Sequence, residues 1–401
     1  MRLPLRLSVD EVSTLPRVDS VAALRASPVS CFAELLPRRP EPAADLFPDA
    51  WSRHGGEVPP PAWWSDTEAH IGALNLFKLR DVLFFPAWGV VVARDGGVMR
   101  LTMEEAAYAT PDLSDLPHAS RHGDETSLDL PDAIARLPRA LVTMPFGARM
   151  NYGHFILDAL SSLAAVDATG LFGDHPVLVP PLTPWQARHF ALMGAAPLVT
   201  EAPVLRIDEV VYTSAMHHFL HNPNLNYRDL RARQIAALSL PAGGPTRLYL
   251  WRGARDRRPM RSERRLARAL RRAGFAVVDT GRMPVERQVA LFAGAEAVVG
   301  AAGAAFANAL YCRPGTLVVE IQPKGMENHW VRPLCLIGGL RHAAWFCGGE
   351  VRDPAHPEQG MRFDVDVDRF LDFVFGFPPL QGARDSAPLL RRIGTRLGLP
   401  G

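Results

Sequence analysis

The sequence is almost without lysine: Lys78 and Lys324 are the only two, and arginine supplies the rest of its 44 basic residues. With 36 prolines and abundant alanine, this marks a GC-rich bacterial coding bias more than a function. Cysteine is nearly as scarce. Cys31, Cys312, Cys335 and Cys347 include no pair at the close spacing of a zinc knuckle or redox motif, so they read as reduced, buried thiols. No apolar run approaches the roughly 18–20 residues of a membrane-spanning helix. The basic start, Met1-Arg2-Leu3-Pro4-Leu5-Arg6, meets Asp10 and Glu11 before a signal-peptide core develops. The expectation is a cytoplasmic protein with at most peripheral membrane contact. An excess of charge is missing too. A net +2 over 401 residues gives no global electrostatic ground for binding nucleic acid. Internal repeats and low-complexity tracts are absent.

What remains is an ordinary globular composition, 48% hydrophobic and 21% charged, at a length that suggests two domains. Residues 1–70, rich in proline and tryptophan, read as an N-terminal extension. Asp81–Phe85 and Gly89–Ala93 read as strands of a hairpin or meander, and 109–138 as a long loop. From Ala140 the chain alternates. Strands are expected at 140–144, 177–179 and 209–212, with helices at 155–166 and 184–193, the latter opened by Thr183 and Pro184. Pro241-Ala242-Gly243-Gly244-Pro245 is the best linker. Beyond it, strands at 247–251, 276–278, 297–299 and 316–321 alternate with helices at 262–273, 284–292 and from about Ala305. This pattern indicates α/β units with mostly parallel sheets, hence two Rossmann-like domains. They are placed at 71–243 and 244–375, with 376–401 as a C-terminal tail packing back on the first domain.

Three constellations carry chemistry. In Val298-Val299-Gly300-Ala301-Ala302-Gly303-Ala304-Ala305-Phe306-Ala307-Asn308 a buried strand enters a small-residue turn and then a helix. Such a turn either presents backbone N–H groups and a helix N-terminus to a pyrophosphate or merely permits tight packing. Asn308 either faces the ligand or bonds back to the loop. The second is arginine: eleven lie between Arg247 and Arg272, and Arg252 stands just past a strand, where a guanidinium can grip phosphate oxygens. The helical arginines of that run read as a solvated face. The third is Asn151-Tyr152-Gly153-His154-Phe155-Ile156-Leu157-Asp158, which puts His154 and Asp158 four residues apart on one helix face: a histidine base held by a carboxylate, a carboxylate that takes the proton itself, or a structural contact. Glu320, at the end of an expected strand, suits either a ribose or an ion pair. Asp364-Val365-Asp366-Val367-Asp368 contains a D-x-D pattern, but Asp368 reads as the N-cap of a helix over 369–375. His217, His218 and His221 read as a surface loop.

These pieces together resemble glycosyltransferase family 61, the bacterial capsular-polysaccharide-biosynthesis type, over roughly residues 140–325. Asn151-Tyr152-Gly153-His154-Phe155 with Asp158 looks like the family's N-Y-x-H-W/F segment and its acidic follower. Leu250-Trp251-Arg252 resembles the strand ending in arginine. Arg258 to Glu263 is similar to R-x-x-x-N-E, with Ser262 in place of asparagine. Gly274-Phe275, Glu286-Arg287-Gln288, the 303–308 turn, Pro314-Gly315 and Glu320 follow in order. The family's H-G-A turn has Ala302 here in the histidine's place, which puts donor handling or activity in question. The resemblance implies a GT-B-like fold, two Rossmann-like domains facing a central cleft, and an inverting transfer with no metal and no cofactor. The donor is a nucleotide diphosphate sugar, the acceptor a hydroxyl of a glycan, and the setting bacterial surface polysaccharide synthesis. Donor-binding roles fall to Arg252, Arg258, Glu263, Gly303, Ala304, Phe306, Asn308 and Glu320. Acceptor-side roles fall to Asn151 and Tyr152, catalytic roles to His154 and Asp158. The alternatives are an epimerase-type enzyme acting on the nucleotide sugar and a non-catalytic binding subunit of a glycan-assembly complex.

Overall fold

The computed structural model describes residues 2–36, 39–42, 53–65, 68–71, 73–103, 113–216, 226–240, 243–253, 258–325, 330–351 and 360–383. His217, His218 and His221 lie outside them, as does the tail from 384. The fold is α/β and divides into two compact units. Unit 1 comprises Met1–Glu41 and His70–Ser239, and unit 2 comprises Pro42–Ala69 and Leu240–Gly401. Residues 1–70 are therefore not an extension. Cys31–Leu36 pairs antiparallel with Leu74–Phe85 in unit 1, and Arg53–Gly56 pairs parallel with Arg341–Cys347 in unit 2.

In unit 1 a mixed sheet is built around four parallel strands in the order Leu198–Val199, Val177–Val179, Arg136–Val142, Leu205–Thr213. In chain sequence that is 3-2-1-4, the order of half a doubly wound sheet, with its reversal between Arg136–Val142 and Leu205–Thr213. Leu74–Phe85 extends the sheet antiparallel to Leu205–Thr213 and turns back through Val90–Val92. Phe77, Val82, Val91, Val142, Ile207 and Tyr212 fill one core of this unit. The expected loop over 109–138 instead contributes two short antiparallel strands, Ala119–His122 and Glu125–Asp129, and the first residues of Arg136–Val142. The strand residues there are polar on their open face, which hides the pairing from a hydrophobicity pattern.

Unit 2 holds a wholly parallel six-stranded sheet among its described residues. Its order is Ala276–Val278, Arg247–Leu250, Ala297–Ala301, Leu317–Pro323, Arg341–Cys347, Arg53–Gly56. Helices cover its faces, so Ala297–Ala301 and Leu317–Pro323 are buried at every position, and Ala297–Ala301 reads as a continuous apolar run. One face packs Tyr249, Val299, Val319 and Trp345 against Leu266, Leu270 and Phe370 of helices Glu263–Arg272 and Val367–Phe375. Counted from Arg247 the strand order is 2-1-3-4-5, and it reverses between Arg247–Leu250 and Ala297–Ala301. A ligand crevice opens beyond the carboxyl ends of strands at such a reversal.

All four cysteines are buried and unbridged. Among the described residues no helix is long and apolar enough to cross a membrane.

Candidate functional site

At the reversal in unit 2, Arg247–Leu250 releases the chain into Trp251-Arg252-Gly253, and Ala297–Ala301 releases it into Ala302-Gly303-Ala304. These strands are hydrogen-bonded neighbours, with Leu250 opposite Gly300. A Cβ on Gly300 would stand 2.8 Å from Leu250 Cβ, so only glycine lets the strand ends approach this closely. The Arg252 guanidinium donates to the Ala302 carbonyl, and a Cβ on Gly303 would lie 2.8 Å from Arg252 Nη1. Arginine and small-residue turn thus occupy one place. Ala302 itself is buried, and its N–H donates to Ile321 O at 2.9 Å. Gly303, Ala304 and Ala305 are half-buried, while Phe306 onward is enclosed.

The segment after the turn, Ala304–Tyr311, is a 3-10 helix rather than the expected α-helix. Asn308 is fully buried and bonds back, its Nδ2 donating to Ala305 O at 3.2 Å and Gln288 Oε1 at 3.0 Å. Gln288 in turn donates to Met283 O at 3.1 Å, so Asn308 fastens the turn to the neighbouring helix Val285–Ala293.

Glu263 opens helix Glu263–Arg272 and is buried. Its carboxylate accepts the backbone N–H groups of Arg252 at 2.7 Å and Gly253 at 3.0 Å. Gly253 takes a left-handed φ of 77°, which a glycine tolerates and other residues rarely do. Glu263 therefore sets the loop that carries Arg252. Arg258 is half-buried two residues ahead of Met260, which bridges to Phe363.

Glu320 lies inside strand Leu317–Pro323, not at its end, and has no exposed surface. Its Oε2 accepts from Gln322 Nε2 at 2.8 Å and lies 3.4 Å from His342 Nε2, while Oε1 has no partner among the described residues. Neither Gln322 nor His342 carries a motif that would have marked it in the sequence.

In unit 1 the pair His154 and Asp158 follows the first parallel strand, beside that sheet's reversal. Asn151 caps the turn by accepting Gly153 N–H at 2.8 Å. Phe155–Ala159 is then wound as a π-helix, a widened turn that recurs at functional sites. His154 Nδ1 stands 2.8 Å from Asp158 Oδ2, with Asp158 fully buried and the histidine nearly so. An ionised Asp158 only accepts, an arrangement that fits a proton on His154 Nδ1. Tyr227, on helix Asn226–Ala236, is buried nearby. Burial pushes its phenol well above the ordinary range and the charge of Asp158 pushes it further. Tyr152 is half-buried against Trp185, ring centroids 5.4 Å apart, and His189, 5.9 Å. Thr143, just past strand Arg136–Val142, keeps a buried hydroxyl with no partner among the described residues. Tyr227 and Trp185 were illegible in the sequence because each reaches the place from a separate element.

The D-x-D segment is structural. Asp366, one repeat before the expected Asp368, caps helix Val367–Phe375 by accepting Asp368 N–H at 3.1 Å and Arg369 N–H at 3.2 Å. Asp364 accepts Ser262 N–H at 2.9 Å. Among the described residues no three His, Cys, Asp or Glu side chains gather as metal ligands would.

Residues 152–319, less than half of the chain, match the model of the glycosyltransferase 61 family. The match begins at Tyr152 and ends one residue before Glu320. It takes in His154, Asp158, Arg252, Glu263 and Asn308, and so touches both units. No curated protein matches the chain. The family match supports sugar transfer, with a sugar donor and an acceptor as the substrates that activity implies.

Proposed function

We propose that this protein is an inverting glycosyltransferase of the GT-B class, using a nucleotide diphosphate sugar without a metal or other cofactor. Its product would be a glycan of the bacterial surface, made on the cytoplasmic side. One observation carries the reading: Arg252 and the half-buried 303–305 turn share the carboxyl ends of adjacent strands at the reversal of unit 2. A diphosphate there would displace the Ala302 carbonyl from the guanidinium and take amide hydrogens from the turn. Glu263 and Asn308 act behind it, holding the loop and the turn. Arg258 borders the donor, while Phe306 and Glu320, both enclosed, support the turn and the strand from behind.

In unit 1, Asn151 and Tyr152 serve the acceptor, and His154 is the base, oriented by Asp158. The acceptor oxygen attacks the anomeric carbon and gives its proton to His154 Nε2. The bond from that carbon to the diphosphate breaks, and the charge passes to the phosphate oxygens. Arginine and backbone N–H groups there offset it. Attack from the face opposite the leaving group inverts the configuration.

Ala302 favours a second reading, a nucleotide-sugar-binding subunit without turnover, since a methyl stands where the resembled turn carries imidazole. Thermal-shift measurements across a panel of nucleotide sugars, followed by transfer assays, separate the two. A donor-specific rise in Tm that Arg252→Ala abolishes supports the site by mass action. Turnover that yields the inverted anomer and persists in chelator supports the enzyme. Unchanged donor binding in Arg252→Ala would remove the arginine, and with it the reading.

A further inference from the structure

A second group of arginines, on helix Glu263–Arg272, shares a cavity with Trp251. Helix Glu263–Arg272 buries Glu263, Leu266, Ala267 and Leu270. Arg264, Arg268 and Arg271, spaced i, i+4, i+7, form a single strip beside that buried stripe. The strip is exposed, as a solvated face should be, yet it is not flat. With Ala267, Trp251, Val277 and Asp279 it lines an open cavity of about 520 Å³ along Ala276–Val278, an edge strand of the unit 2 sheet. Ala267 is the small residue that leaves room between the arginines, and the half-buried indole of Trp251 forms one wall.

The charges of this cavity are not internally balanced. On the same helix Arg265 pairs with Asp368 at 2.8 Å, and just ahead of it Arg261 pairs with Glu350 at 3.1 Å. Arg264, Arg268 and Arg271 have no carboxylate partner among the described residues. The one carboxylate of the lining, Asp279, is taken by Arg282 at 3.2 Å. Like charges at i,i+3 and i,i+4 repel and destabilise a helix. Three exposed guanidiniums along one open cavity suit a group with two negative charges and several acceptor oxygens.

The geometry points to an anion site for a phosphate-bearing group in this cavity, separate from the donor turn and independent of the sugar-transfer reading. The phosphate belongs either to a soluble molecule or to the headgroup of an anionic lipid, and both arms are measurable on the full chain. Arg252→Ala first removes the guanidinium at the turn. In that background, inorganic pyrophosphate is titrated calorimetrically, and sedimentation is followed with vesicles of phosphatidylglycerol in phosphatidylcholine against phosphatidylcholine alone. The triple change R264Q/R268Q/R271Q keeps good helix formers and removes the positive charge of the lining. R261Q/R265Q/R272Q removes the same charge elsewhere on the segment. The expected result is binding to pyrophosphate, to the anionic vesicles, or to both, weakened at least about tenfold by the first triple and little changed by the second. Pyrophosphate binding alone identifies a soluble ligand, and vesicle binding alone identifies a lipid headgroup. Binding to neither probe, or equal loss in both triples, overturns the site.

Discussion

His154 illustrates how much one proton position decides. If Asp158 is ionised, its carboxylate holds a proton on His154 Nδ1 and leaves Nε2 as the nitrogen that can accept one. His154→Ala should therefore lower kcat by about 10²–10⁴-fold, and Asp158→Asn, which offers a donor where an acceptor is needed, should also lower it strongly. Steady-state transfer rates check this, and full activity in both variants would leave the pair a structural contact. A second residue, Glu11, is placed to report on pH. It is buried beneath the unit 1 sheet, where it accepts Leu101 N–H at 3.0 Å and the Tyr212 hydroxyl at 3.1 Å. Burial pushes it up to about 7 from its ordinary 4.5, against hydrogen bonds that pull it down. Because the folded value is the higher one, the neutral form stabilises the fold fully below about pH 4.5. That contribution is lost as the pH rises through 7, a change of about 3 kcal/mol. Denaturant melts of Glu11→Gln against the natural protein should diverge in the variant's favour across that window and run parallel above it.

Elements show where sequence patterns hold and where they fail. Asp366→Ala should cost about 1 kcal/mol of stability through the lost cap and leave any transfer activity unaltered. Melting and activity measured together test it, and a large loss of activity would reopen the D-x-D segment as chemistry. Most of the parallel strands were legible because short apolar runs such as Val177–Val179 and Ala297–Val299 leave little choice, whereas Leu198–Val199, Arg341–Cys347 and Arg53–Gly56 went unread. The Gly300 turn was legible as small residues alone, whereas its meeting with Arg252 depends on which strands are neighbours. Pattern also misplaced Glu320: Gln322 and Pro323 continue the strand, although polar residues and proline read as its end. Ala304–Tyr311 winds as a 3-10 helix although it is rich in alanine, and Asn308 fastens it to Gln288 of the neighbouring helix. No local spacing encodes Tyr227 beside Asp158.

At the scale of the molecule, the first 69 residues are shared between two sheets. Deleting them removes Cys31–Leu36 from unit 1 and Arg53–Gly56 from unit 2. The truncated chain should lose cooperative melting in both, as followed by circular dichroism and calorimetry. A truncated protein that melts like the natural one would make these strands dispensable additions. The same arrangement bears on synthesis. Arg53–Gly56 leaves the ribosome about 290 residues before Arg341–Cys347, the strand beside which it lies. At roughly 5–20 residues per second, it waits some 15–60 s for a partner. During that interval its backbone donors and acceptors need water, a transient pairing or a chaperone.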